Sequence, residues 1–283
     1  MKAFPFRSVF STVIFIILCA HYAEAFSTEV LPSKLYPGDA FVIKVTGLEE
    51  PAGPTAMIQG RTLHFSSCGK GCFLSIGSVD IKTNPGSQRI KLRTGKKTTM
   101  LHVSVLKGRF ETMNLTLPEE KVTLFSPEEI ERIDREDALL DSIWKIVSER
   151  LWDGNFILPL QNQLSTPFGA KRIINNKKES LHRGLDIRGK AGEEIRASNR
   201  GRVLLTEELF FGGNTVVIDH GQAIFTVYMH MSVFNVSPGD IVSRNDVIGY
   251  VGSTGRSSGP HLHFGVKVAG INANPVSIAG LKL

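Results

Sequence analysis

Apolar and polar positions change rhythm three times along the chain. Between residues 26 and 117, short runs such as "AFVIKVTG", "CFLSIGSVDI", "QRIKLRTG" and "TTMLHVSVLKG" are rich in β-branched residues and are parted by Pro-Gly, Gly-Lys and Asn-Pro-Gly turn signals. Strands at that spacing predict an immunoglobulin-like β-sandwich. Residues 118–151 read differently. "SPEEIERIDREDALLDSIWKIVSERLW" opens with Ser126 as N-cap, Pro127 at the first helical position and Glu129 completing a capping box. Ile130, Ile133, Leu140, Ile143, Trp144 and Val147 then recur at helical spacing. The pattern predicts an amphipathic connector helix that either packs on its neighbours or covers and regulates a cleft. From residue 152 to 283 period-two alternation returns in "GNTVVIDHG", "AIFTVYMHMS", "DVIGYVGS" and "HLHFGVKVAG", with glycine-rich loops between. This predicts a compact antiparallel β domain, so the whole chain is expected to be mainly β.

The first residues belong to none of these units. Lys2 and Arg7 make a basic start, Val9 to Ala20 an apolar run, and Ala23-Glu24-Ala25 a small-x-small cleavage site. Residues 1–25 therefore read as a secretory signal peptide, too short to span a bilayer. Leu18 precedes Cys19 where lipid attachment wants a small residue, so no lipid anchor and no stable membrane insertion are expected after cleavage. The exported chain keeps Cys68 and Cys72, in "SSCGKGCFLS". An even pair in an oxidising compartment predicts a disulfide closing a tight loop, and no second pair of thiols exists to complete a zinc site. The net charge of +6 is spread along the chain without a basic cluster interleaved with aromatics. That argues against nucleic acid and fits an anionic cell-envelope polymer better.

The candidate chemistry lies in the C-terminal unit. In "GPHLHFGVKV", alternation puts His261, His263, Gly265 and Lys267 on one strand face and Leu262, Phe264, Val266 and Val268 on the other. In "LHRGLDIRG", His182 and Asp186 are four apart, and Gly184 with the β-leaning "LDI" argues for an extended segment pointing both side chains the same way. In "FTVYMHMS", the same alternation puts His230 with Tyr228 and Thr226, opposite Phe225, Val227 and Met229. Imidazole and carboxylate suit zinc, and a catalytic site commonly takes three protein ligands and keeps one position for water. His220 and Asp219 in "IDHGQ" read as turn residues, and His64 and His102 as isolated strand residues. The glycine-rich stretch from Gly252 to Gly259 reads as the rim of a groove, because no Lys-Ser/Thr ending or following helix supports a phosphate cradle.

"HRGLDI", "GNTVVIDHG", "YMHMS" and "GDIVSRNDVIGYVGSTGRSSGPHLHF" together resemble the lysostaphin-type zinc metallopeptidases, which cut peptide bonds in bacterial peptidoglycan. The resemblance spans roughly residues 155–276. It implies one zinc per chain, held by His182, Asp186 and His263, with His230 and His261 as catalytic residues sharing proton transfer and oxyanion stabilisation. Which of these two is the general base stays open. The chain departs from the family at Gly265, where many relatives have an acid, and at Met231, where leucine is usual. The resemblance implies an exported endopeptidase of the periplasm or cell envelope, with peptidoglycan as substrate and a regulatory partner possible through the N-terminal unit. A non-catalytic wall protein that activates other hydrolases is the alternative, although such relatives typically lack a zinc ligand.

Overall fold

The computed structural model describes residues 26–48, 53–108, 110–115, 125–175 and 178–283. The expected signal peptide, residues 1–25, lies outside them, as do residues 118–124 at the start of the expected connector. The chain is mainly β. Among the described residues no helix is long and apolar enough to cross a membrane.

Residues 27–105 form two sheets. One runs Ser27–Leu31, Ala40–Thr46, Cys72–Ser78, Ser66–Gly69, and the other Lys34–Leu35, Lys97–Val105, Gly86–Thr94, Thr55–Ile58, Arg61–Leu63. Phe41, Ile43, Val45, Ile90, Leu92 and Val103 share one buried core. The strand Ala40–Thr46 is apolar without interruption at "AFVI" because both of its faces are covered. Its Ala40 and Val42 join a second core with Trp152, Phe156 and Leu160, so the first sheet packs directly on the C-terminal unit. Hydrogen bonds fasten the same junction: Asn274 Nδ2 donates to Asp39 Oδ1 at 2.9 Å, and Gln222 Nε2 to the His64 carbonyl at 2.8 Å. Cys68 and Cys72 are joined by a disulfide.

The helix Pro127–Ile143 begins as its sequence predicts: Ser126 Oγ accepts from Glu129 N, and the Glu129 carboxylate accepts from Ser126 N at 2.8 Å. It ends at Trp144 rather than running on to Val147, and Ile130 and Val147 are exposed. Its apolar contact is concentrated in the last turn, where Ile143, Leu140 and Trp144 meet Phe225 and Val227. The first turns are held by polar groups instead. Arg132 donates to the Glu208 carbonyl at 2.7 Å, and Glu136 accepts from Phe210 N at 2.7 Å.

The C-terminal sheet runs Leu164–Thr166, Leu185–Arg188, His261–Val268, Ile224–Phe234, Gly213–Asp219, Gly201–Leu209, Ile241–Val242, with antiparallel neighbours throughout. The strand His261–Val268 obeys its alternation: Leu262, Phe264, Val266 and Val268 are buried in the core, while His261, His263 and Lys267 are only part-buried on the other face. A smaller sheet brings in the end of the N-terminal unit, since Thr112–Leu115 pairs in parallel with Lys171–Ile174, which runs antiparallel to Lys178–Leu181.

Candidate metal centre

Register builds the centre. Leu185–Arg188 lies antiparallel to His261–Val268 with Asp186 directly opposite His263 and Arg188 opposite His261. Directly opposed residues share a face, so the carboxylate and the imidazole meet without any loop rearrangement. Asp186 Oδ1 lies 2.7 Å from His263 Nδ1. His182 is not on the same strand, because the extended segment breaks at residues 182–184 before Leu185–Arg188 begins. Its Nε2 still comes to 2.9 Å from Asp186 Oδ1 and 3.0 Å from His263 Nδ1. The break depends on Gly184: a Cβ there would lie 2.5 Å from His263 Nε2 and 2.8 Å from the Phe264 carbonyl oxygen.

The chemistry of this donor set suits a cation. His182 Nδ1 lies 3.0 Å from the Pro167 carbonyl, which fixes the proton on Nδ1 and leaves the Nε2 lone pair facing the carboxylate. Three acceptor-bearing atoms then converge in a buried spot, a repulsive arrangement that a positive charge resolves. Burial alone would raise the Asp186 carboxyl; without a metal the alternative way to relieve the repulsion is to protonate the imidazoles, whose hydrogen bonds and charge then outweigh burial and hold the group well below the usual carboxylate range. Arg172 Nη2 donates to the other oxygen, Asp186 Oδ2, at 3.1 Å, reserving Oδ1 for the histidine side.

His230 and His261 join the cluster from two directions. Their ring centroids are 4.8 Å apart, and His230 lies 6.2 Å from His263. Simple alternation would put His230 on the core face with Tyr228, whose ring packs against Phe264 at 5.2 Å. The structure corrects that expectation. The ladder with Gly213–Asp219 shifts register next to residue 230, and His230 takes φ 64°, so a bulge turns the side chain over to the metal face. Left-handed φ in a non-glycine residue costs about 1 kcal/mol or more, and strain of this kind clusters at functional sites. His230 Nδ1 lies 2.9 Å from the Thr254 carbonyl, and His261 Nδ1 lies 2.8 Å from the Gly259 carbonyl. Both imidazoles thus keep Nε2 for the cleft. Burial lowers the His230 pKa to about 4, against the opposing pull of the Thr254 carbonyl, so it is neutral at pH 7.

These groups open into a cleft of about 880 Å³. One wall is the loop Gly255–Pro260, in agreement with its reading as a groove rim; Met113 of the N-terminal unit and Phe125 and Glu129 of the connector contribute to another. Phe125 packs edge-on against Phe210 and Phe211, at 5.7 and 6.1 Å. Sequence reasoning missed Arg172, Arg188 and the carbonyls of Thr254 and Gly259, and took Gly184 only as a sign of extended chain. Of the missed groups only Arg188 had a usable signal, its spacing from Asp186.

The remaining histidines stand apart. His102 pairs with Ser87 at 3.2 Å on the exposed side of its sheet. His64 faces a second cleft, of about 940 Å³, near Arg150 and Gln222. His220 is fully buried at its turn: Nδ1 is 2.9 Å from the Arg200 carbonyl and Nε2 is 2.7 Å from Thr226 Oγ1. Burial pushes its pKa down to about 4, partly offset by the Arg200 carbonyl. Unfolded, this imidazole titrates near 6.5, so its contribution is fully present above that pH and is lost as pH falls toward 4. The expected loss between pH 7 and pH 5 is about 2 kcal/mol. Urea unfolding at both pH values should show it, and His220→Gln, though less stable at pH 7, should show a pH penalty smaller by that amount. An equal penalty in both proteins would refute the assignment.

The model of peptidase family M23 matches residues 180–275, the segment containing every member of the histidine–aspartate cluster. The DD-carboxypeptidase/endopeptidase Mpg of Neisseria meningitidis serogroup B is 38% identical over 141 residues, covering 49% of this chain and 32% of that protein. The peptidoglycan DD-endopeptidase ShyA of Vibrio cholerae is 37% identical over 119 residues, covering 41% of this chain and 28% of that protein. The chain thus spans about a third of the length of these curated relatives. The crystal structure of a peptidase M23 from Pseudomonas aeruginosa matches 87% of this chain and 95% of its own, with 29% identity and a TM-score of 0.69. Residues 180–275 of this chain, with the whole histidine–aspartate cluster, are therefore similar to peptidase family M23.

Proposed function

We propose that the protein is an exported, zinc-dependent endopeptidase that hydrolyses peptide bonds of bacterial peptidoglycan. The observation that carries this reading is the convergence of His182 Nε2, Asp186 Oδ1 and His263 Nδ1 within 3.0 Å of one another, at the base of a cleft that two further histidines line. The names of the relatives Mpg and ShyA point to the same bond class. One zinc per chain would be held by those three atoms. Bound there, it would polarise a peptide carbonyl and lower the pKa of water.

The chain's own groups do the rest. His230 and His261, each with Nδ1 fixed on a carbonyl, present Nε2 as a proton acceptor and, once protonated, as a donor to negative charge growing on the carbonyl oxygen. The Arg172 contact holds Asp186 in one orientation. Residues 26–117 serve as an immunoglobulin-like accessory domain, residues 118–151 as the connector, and residues 152–283 as the peptidase domain. The site of action is the periplasm or cell envelope, reached through the signal peptide of residues 1–25.

The test is to purify residues 26–283, load zinc and incubate with purified sacculi. New muropeptide ends in the zinc-loaded sample, absent after chelation and restored by zinc, are the expected result. Tight binding to sacculi with no new ends, from zinc-loaded protein, would replace this reading with that of a wall protein acting through other hydrolases.

A further inference from the structure

We propose that Arg188, supported by Arg172, recognises a free carboxylate on the peptide substrate and so selects acidic stem peptides. The inference rests on the hydrolase reading for the word substrate, but its physical basis is independent of it. Asp186 and Arg188 are two apart on one strand, so their side chains leave the same face. The rung after Asp186–His263 in that direction is Leu262 against Ile187, on the opposite face, and the next is Arg188 against His261. Arg188 therefore stands beside His261 and about 7 Å along the strand from the metal ligand. It lines the same cleft as His230, His261 and His263.

The charges around it are unequal. Arg188 is exposed, and among the described residues its guanidinium has no hydrogen bond or ion pair. Arg172 uses one nitrogen on Asp186 and keeps about a third of its side chain exposed. Arg256, further along the rim, lies over the Phe125 and Phe211 rings at 5.4 and 5.6 Å, with no carboxylate partner among the described residues. Among the described residues, the two acids that line the cleft are engaged: Asp186 with two imidazoles and Arg172, Glu129 with the backbone of its own helix cap. The cleft thus offers, among the described residues, planar, always-charged donors beside the reacting position and no free counter-charge. Such donors match a carboxylate's two oxygens, and a half-enclosed cleft strengthens the pairing relative to open surface. A stem peptide has free carboxylates at its C-terminus and on side chains, either of which could fill this place.

The test uses a fluorescein-labelled single stem peptide, which resembles a cleavage product and is not itself cut. It is compared with its C-terminal amide and its side-chain amide, by fluorescence polarisation on the zinc-loaded full mature chain. Wild type is expected to bind the acid form about 10-fold more tightly than one of the two amides, and that amide identifies the carboxylate. Arg188→Gln should weaken the acid form about 10-fold, leave the discriminating amide within about 2-fold, and keep the zinc content unchanged. Arg188→Lys should retain part of the preference, because it keeps the charge without the fork. Equal binding of acid and amides by wild type would overturn the proposal. So would an Arg188→Gln protein with the wild-type preference, or one that loses all three ligands equally. On sacculi, Arg188→Gln should raise KM with kcat little changed. Arg188-dependent selectivity for the acid in a protein that leaves sacculi intact would uphold the arginine's role while removing the hydrolase reading.

Discussion

Asp186→Ala is expected to abolish both metal binding and hydrolysis. Asp186 is the anionic member of the proposed ligand set, and its Oδ1 is the atom that both histidines approach, at 2.7 and 2.9 Å. Alanine leaves two imidazoles whose combined charge is zero when neutral. It also frees Arg172, whose guanidinium sits 3.1 Å from Asp186 Oδ2 and would then repel an incoming cation. Zinc measured by elemental analysis should fall from near one per chain to background, and release of muropeptides should fall by about 10³-fold or more. The informative contrast is His261→Ala. That residue approaches Asp186 Oδ1 only to 3.9 Å and its Nδ1 is committed to the Gly259 carbonyl, so its loss should spare zinc and still remove activity. Zinc retained at parity by Asp186→Ala would overturn the ligand assignment, and zinc lost from His261→Ala would overturn the division of roles.

A comparable loss is expected from a residue that touches neither metal nor substrate. In Gly184→Ala the new Cβ would lie 2.5 Å from His263 Nε2, 2.7 Å from Cε1 and 2.8 Å from the Phe264 carbonyl oxygen. The carbonyl belongs to the central ladder and cannot yield, so the imidazole must turn or the segment carrying His182 must lift. Either shift moves a ligand by a fraction of an ångström to an ångström, a displacement that costs about 100-fold in a preorganised site. Zinc affinity measured against a chelating dye should fall by about that factor, and activity at limiting zinc should follow. Gly265→Ala is the matched control on the same strand as His263. Its Cβ would meet Val227 at 3.5 Å, an ordinary contact, so zinc affinity should be unchanged. Wild-type affinity in Gly184→Ala would mean that the close approach of His263 to this backbone is not required for ligation.

These two glycines also mark how far local sequence carries. Both sit within motifs that point to zinc chemistry, yet nothing in "HRGLD" or "HFGVK" distinguishes the one that an imidazole crowds from the one with space around it. The proposed ligand set was legible because its members fall in short patterns. His261 and His263 share a face by alternation, and the strand His261–Val268 keeps that alternation along its length. His230 was legible as a candidate and illegible in direction. Its side chain reaches the cluster because the neighbouring strand imposes a register shift, and a rule of alternation has no knowledge of a partner strand. The connector shows the same division. Its capping box was readable from Ser126 and Glu129, whereas the placement of Phe125 and Glu129 along the cleft depends on Phe210 and Phe211, some 85 residues away.

What the sequence by itself determined is therefore the set of local properties: mainly β texture, the helix start, the Cys68–Cys72 pairing and the identities of the histidines and aspartate. Each follows from interactions within a few residues, where spacing translates directly into geometry. The tertiary structure alone decided which atoms meet. It set the Asp186–His263 rung, turned His230 across its strand, put Arg172 on the far carboxylate oxygen and stood Arg188 beside His261. Those contacts join positions from about 14 to 80 residues apart, and only the closing of the sheet, driven by burial of its apolar face, selects one register among the many that a chain of alternating residues permits.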